Sequence, residues 1–109
     1  MIAVVPVRGG TLPVGADEAV AEAGGSALLV GDGTEPAAKE LETAREPVAC
    51  VEIGAFAPGR WAAALAAPLR DQDVIILPAS ADGRDLAPRL AHALRRPLLA
   101  GAVAVTADR

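Results

Sequence analysis

The chain has 109 residues, ten Lys and Arg against 14 Asp and Glu, and a formal net charge of −4. That length buries one core, not two, and the acidic balance speaks against nucleic acid, whose affinity rests on neutralised phosphates. Hydrophobic residues make up 52% but aromatics only 2%, Phe56 and Trp61 with no Tyr, so the core has to come from Ala, Val, Leu and Ile.

Cys50 is the one cysteine, which excludes an internal disulfide and a cysteine-rich metal site and suits a reducing compartment. The opening Met-Ile-Ala-Val-Val carries no basic stretch ahead of a long apolar run, and no segment approaches ~20 apolar residues. A cytoplasmic protein that does not insert into membranes is expected.

Apolar runs rich in β-branched residues fall at 2–7, 27–30, 48–53, 74–77 and 98–105 and read as five strands. They are continuous rather than alternating, as expected of parallel strands covered on both faces. Between them, Ala-rich segments at 17–23, 35–43, 60–69 and 85–96 read as helices. Strict alternation predicts one α/β domain over 1–109. It is an open, doubly wound, mostly parallel five-stranded sheet with helices on both faces, whose ligands and partners meet the carboxyl ends of the strands.

The punctuation agrees. Gly24-Gly25 stops the first helix, Gly31-Asp32-Gly33 turns the chain after the second strand, and Thr34 is a candidate N-cap. Pro68 should end or bend the third helix. In the last helix Leu86, Leu90, Ala93 and Leu94 form one apolar stripe, with Arg89, His92 and Arg96 pointing elsewhere and Arg95 and Arg96 placed to meet the helix dipole. An N-cap at Asp85 puts Pro88 in the tolerant first turn, whereas a start at Ser80 or Asp82 predicts a kink.

Chemical motifs are sparse. Gly9, Gly10 and Gly15, with Pro13 among them, do not make the dinucleotide fingerprint; Gly31-Asp32-Gly33 supplies only a G-x-G, and no P-loop exists. Asp82 and Asp85 fit a general base or metal ligand less well than residues that cap and complement a helix N-terminus. His92 has no obvious triad partners. Asp71 and Asp73 lie at the amino end of a strand, away from any ligand, and are expected to be solvated. Cys50, mid-strand, is expected to be a buried, inert thiol. Trp61 is either core or an interface anchor. No residue is assigned a catalytic, cofactor-binding or metal-binding role.

The stretch 74–94, with Gly83-Arg84 and Pro88-Arg89 followed by Leu90, Ala91 and Leu94, resembles the strand, loop and helix of the N-terminal domain of electron transfer flavoprotein alpha subunits. The opening is similar too: a strand from residue 1, a hairpin-like Arg8-Gly9-Gly10-Thr11-Leu12, then a helix and a strand ending in Val30-Gly31. The resemblance implies an adenine nucleotide alpha hydrolase-like fold and the N-terminal part of a longer subunit. That part pairs with a beta subunit and supports a mobile flavin domain, and the full heterodimer carries electrons on FAD from flavin dehydrogenases to an acceptor. The FAD site is then expected beyond Arg109, and this segment is expected to be no enzyme. The short first helix region and the Ala/Arg/Gly-rich composition resemble the mycofactocin-associated subgroup. Leu99-Ala100-Gly101-Ala102 stands where the family often has Ser-Asp. The alternative is a small nucleotide-binding module of universal-stress type, although its phosphate loop would hold a single glycine, Gly83. A receiver domain lacks its acidic pair at Arg8-Gly9-Gly10 and its Asp at Gly54-Ala55.

Overall fold

A computed structural model describes residues 1–97 and 104–106. The elements alternate as β1 (Ile2–Val7), α1 (Ala16–Glu22), β2 (Ala27–Gly31), α2 (Thr34–Ala38), β3 (Ala49–Glu52), α3 (Pro58–Leu69), β4 (Val74–Ile76), α4 (Ala81–Leu94) and β5 (Ala104–Thr106). Four strands form a parallel sheet in the order β3-β2-β1-β4, flanked by helices, and β5 runs antiparallel along the far side of β4. The sheet is therefore mostly parallel, with one antiparallel strand at that edge. An edge strand offers unpaired N–H and C=O groups that an antiparallel neighbour satisfies as well as a parallel one. The rest of the strand expected over 98–105 lies outside the described residues.

All six residues of β1 are buried. Successive side chains of a strand point to opposite faces, so Ile2 and Val4 enter one core while Ala3, Val5 and Val7 enter the other. The first core, under α3 and α4, is built from large side chains: Leu28, Val30, Ile75, Trp61, Leu65 and Leu90. The second, under α1 and α2, is mostly Ala and Val, with Leu29 its one large buried residue. Small residues there let short helices lie close to the sheet.

Trp61 is fully buried, its indole N–H donating to the Ala55 carbonyl at 3.2 Å, so of its two expected roles the core one holds. Cys50 corrects the sequence reading: it is exposed, because β3 is the sheet edge and three of its four residues face solvent. A continuous apolar run does not distinguish an edge strand from a central one.

Helix ends differ from the expectations in informative ways. α4 begins earlier than the Asp85 start: Ser80 is the N-cap, its hydroxyl accepting from Gly83 N–H at 3.1 Å. Asp85 therefore caps nothing, and Pro88 lies inside the helix on its exposed side. The N-cap of α2 is Gly33, at φ 74°, with Thr34 the first helical residue and not the cap. α3 opens on Pro58, whose missing N–H costs nothing in the first turn, and Pro68 stands one residue before its end. Arg96 does not serve its own helix dipole. Its guanidinium donates to the carbonyls of Gln72 and Arg70 at the end of α3, both at 2.5 Å, and so ties α4 to the α3–β4 connection.

Trp61 fills more of the large-residue core than any other side chain. Trp61→Ala should lower the stability by about 3–5 kcal/mol, the usual cost of removing a buried aromatic, measured as a fall in the urea midpoint with an unchanged slope.

Candidate functional site

The strand order sets where a site can form. From β1 the chain steps outward to β2 and β3, then returns to place β4 on the other side of β1. The loops leaving the carboxyl ends of β1 and β4 therefore diverge, which is where open α/β sheets bind ligands. A crevice of about 290 Å³ lies there, lined by residues including Arg8, Thr11, Leu12, Pro13, Ser80 and Asp82.

The first wall is the loop after β1. Gly9 and Gly10 both have positive φ, 56° and 75°, and Thr11 N–H donates to the Arg8 carbonyl at 3.0 Å, closing the expected hairpin-like turn with an Arg8–Thr11 bridge. Two consecutive positive φ values are the requirement of a tight hairpin turn of this hand, and glycine meets it without strain. The turn leans on the next loop, where Gly10 N–H donates to the Asp32 carbonyl at 2.9 Å. Beyond it Val14 is 83% exposed.

Asp82, in the first turn of α4, forms the second wall. Arg8 grips it in a two-pronged ion pair, Nε to Oδ2 at 2.5 Å and Nη2 to Oδ1 at 2.8 Å, and this pairing raises the Arg8 pKa. The guanidinium also lies 5.0 Å over the Phe56 ring, which meets Trp61 edge-on at 5.0 Å. Three loops are thus joined across the carboxyl edge: the one after β1, the one before α3 and the entry to α4. Engaged this way, Asp82 braces the β1 loop against α4. Gly83 beside it is buried, and a Cβ there would come within 2.1 Å of the Pro78 carbonyl oxygen. Gly83 is thus required by the close approach of the helix start to the loop after β4, and it does not belong to an open phosphate loop.

The glycine turn after β2 is also engaged. The Glu52 carboxylate, at the end of β3, accepts from Gly33 N–H at 2.7 Å, Thr34 N–H at 3.0 Å and the Thr34 hydroxyl at 2.8 Å. These are the amides at the start of α2 that would grip a phosphate, and an internal anion already holds them. The bonds from Thr34 and Gly33 keep the Glu52 carboxyl below the usual range. Glu52 was not singled out from the sequence. Its only signal there is an acidic residue ending a strand next to a glycine turn.

Asp17 does a similar job for the chain between α2 and β3. Burial pushes its pKa up, but the amides of Glu42 and Thr43 and the Thr43 hydroxyl, at 2.8–3.0 Å, outweigh it and hold the carboxyl low. Asp73 is exposed, yet it accepts from the Met1 ammonium at 2.9 Å. Asp71, Asp85 and His92 are exposed, and none of them lines the crevice. Among the described residues no cluster of His, Cys, Asp and Glu could hold a metal ion.

FAD does not suit the carboxyl edge of these residues. The crevice lies just below the ~300–1,000 Å³ of small-molecule pockets, the α2 amides are bound to Glu52, Phe56 is covered by Arg8 and Trp61 is buried. No pyrophosphate cradle is paired with an open aromatic face there.

The Glu52 interactions give a pH test. A carboxyl whose pKa is lower in the folded than in the unfolded chain adds stability above the unfolded value and loses it as the pH falls through the folded one. Glu52→Gln should therefore be less stable than the parent protein at neutral pH, and the gap should shrink on acidification below the usual carboxylate range. Urea unfolding across that range measures it.

A protein-family model, the electron transfer flavoprotein domain, matches residues 15–109. No curated protein and no solved structure matches the chain. The match covers α1 through β5, including the β4–α4 block whose Gly83-Arg84 and Pro88-Arg89 carry the resemblance. The chain belongs to the electron transfer flavoprotein domain family.

Proposed function

We propose that the chain is the N-terminal domain of an electron transfer flavoprotein alpha subunit, that it acts by holding a beta subunit, and that it contributes surface rather than chemistry. The observation that carries the reading is the 74–94 block. Its strand, its Ser80-capped turn and its buried Gly83 fold the entry to α4 tightly, and this leaves Arg84 and Arg89 exposed. In the same reading FAD is carried by a C-terminal domain beyond Arg109, and the heterodimer passes electrons from flavin dehydrogenases to an acceptor in the cytoplasm. The mycofactocin-associated subgroup is the finer assignment we favour, on the short α1 region, only seven residues long, and the Ala/Arg/Gly-rich composition.

The reading is supported from the opposite direction by what the carboxyl edge does with its polar groups. Its acidic residues bind the chain's own amides and its own arginine, leaving the edge rigid and its amides already bonded. A scaffold gains from such bracing, whereas a catalyst would need those groups to engage a substrate.

Three experiments test this. Co-expression with the beta subunit of the same organism should give a complex that survives purification; a chain that elutes alone would overturn the reading. Residues 1–109, purified, should be colourless and leave FAD fluorescence unchanged on titration, and a stoichiometric flavin band would move the cofactor site into this domain. Arg84→Ala should change the unfolding free energy by about 1 kcal/mol or less, as usual for an exposed charge, and should register in retention of the beta subunit instead.

A further inference from the structure

The two faces of the sheet differ in charge as well as in core size. Over residues 58–97, Arg60, Arg70, Arg84, Arg89, Arg95 and Arg96 stand against Asp71, Asp73, Asp82 and Asp85, whereas residues 1–57 carry nine carboxylates against three cations. Two of the four aspartates are further neutralised from outside the segment, Asp73 by the Met1 ammonium and Asp82 by Arg8. An acidic chain thus presents a basic face at α3 and α4.

That face is grooved. Gly59, Ala62 and Ala63 of α3 stand opposite Pro88, Arg89 and His92 of α4 around an open crevice of about 550 Å³. A second crevice of about 550 Å³ continues from His92 past Arg95 to Pro97. No carboxylate lines either one among the described residues. Glycine and alanine make the α3 side shallow and smooth, so a rod the width of a helix can lie close to it. The cations stand along α4, with Arg89, His92 and Arg95 exposed.

We propose that the α3–α4 groove is the docking site for an amphipathic, acidic helix of the partner subunit, its leucine-sized side chains seated over Ala62 and Ala63 and its carboxylates facing Arg89, whose guanidinium lies over Gly59, and His92 and Arg95. The proposal rests on the partner-binding reading above and specifies which face and which chemistry carry it. Nucleic acid is disfavoured by the net charge of −4 and by the absence of any aromatic lining the groove. A membrane surface is disfavoured because the large exposed apolar side chains among the described residues, Met1 and Val14, lie elsewhere.

The test uses the full-length protein and the beta subunit of the same organism as the probe, with affinity measured by calorimetry. The double variant Arg89→Glu with His92→Glu should weaken binding by about tenfold or more, as expected when charges facing opposite charges are reversed. Ala63→Trp, which fills the groove without touching a charge, should weaken it comparably. Glu18→Arg with Glu22→Arg, on the opposite face, should leave it within about twofold, since distant rim charges contribute little. Thermal unfolding checks that each variant is folded. Binding of the groove variants within about twofold of the parent overturns the proposal while the partner-binding reading stands. Binding tightened by a comparable factor in the Glu18 and Glu22 variant, which makes the chain more positive without touching the groove, overturns it in favour of net-charge attraction, and a comparable loss there overturns it by moving the interface to the α1 face. If the parent binds no beta subunit, both the proposal and the reading fail. Groove-dependent self-association, or groove-dependent pelleting with anionic phosphatidylserine vesicles, would assign the groove to a second copy or to a lipid surface and overturn it.

Discussion

Strand β1 is buried on both faces along its whole length and hydrogen-bonded on both edges, to β2 and to β4. β2 shares this confinement, but only β1 lies where the sheet is built outward in both directions, and the remaining architecture follows from that. Because its alternate side chains differ in size, Ile2 and Val4 on one side, Ala3, Val5 and Val7 on the other, the two layers cannot be equivalent. Because both of its edges are taken, the chain must leave it through the turn at Gly9 and Gly10 and build outward twice. The point of divergence, and with it the crevice at the carboxyl edge, is therefore fixed by the burial of one six-residue segment.

At that edge the protein spends its charged groups on itself. Carboxylates that could meet a ligand are coupled to backbone amides or to Arg8, and each coupling spans two elements: Glu52 joins β3 to α2, Asp17 joins α1 to the segment before β3, and Asp82 joins α4 to the loop after β1. Charge-assisted hydrogen bonds to amides are stronger than neutral ones, and an anion at a helix start also meets its dipole. Short helices such as α2, five residues long, have little stability of their own. The Glu52 carboxylate supplies from across the sheet what no side chain at its N-cap provides.

How much of this was legible depends on the range of the interaction concerned. The order of elements, the extent of β1, the turn at Arg8–Thr11 and the stop at Gly24-Gly25 follow from local pattern, and the structure reproduces them. The exposure of Cys50 did not, since a run such as Val48 to Ile53 reads the same at the edge of a sheet as at its centre, and only the strand order decides. The start of α4, expected at Asp85 with Ser80 or Asp82 as the alternatives, is decided by the hydrogen bond from Gly83 N–H to Ser80, which puts Pro88 inside the helix on its exposed side. The Glu52 and Arg8 couplings were invisible because they join residues 18 and 74 positions apart, and no local pattern pairs the Gly33-Thr34 turn with Glu52 or Arg8 with Asp82.

The asymmetry of the two layers bears on the proposed partner-holding role. Large side chains under α3 and α4 give that layer most of the apolar burial, and hence most of the rigidity against which a partner can be held. The layer of Ala and Val under α1 and α2 is thinner, and its connection from Lys39 to Val48 is kept in place by the Asp17 hydrogen bonds rather than by a deep core. An interface placed on α3 and α4 therefore rests on the stiffer half of the domain, and little of its binding energy is lost in ordering the surface. Arg96 strengthens that platform by anchoring α4 to the end of α3, so that the two helices present their groove as one body. The same arginine-rich segment thus serves fold and surface together: one cation is committed inward to backbone carbonyls while its neighbours Arg89, His92 and Arg95 remain exposed on the outer face.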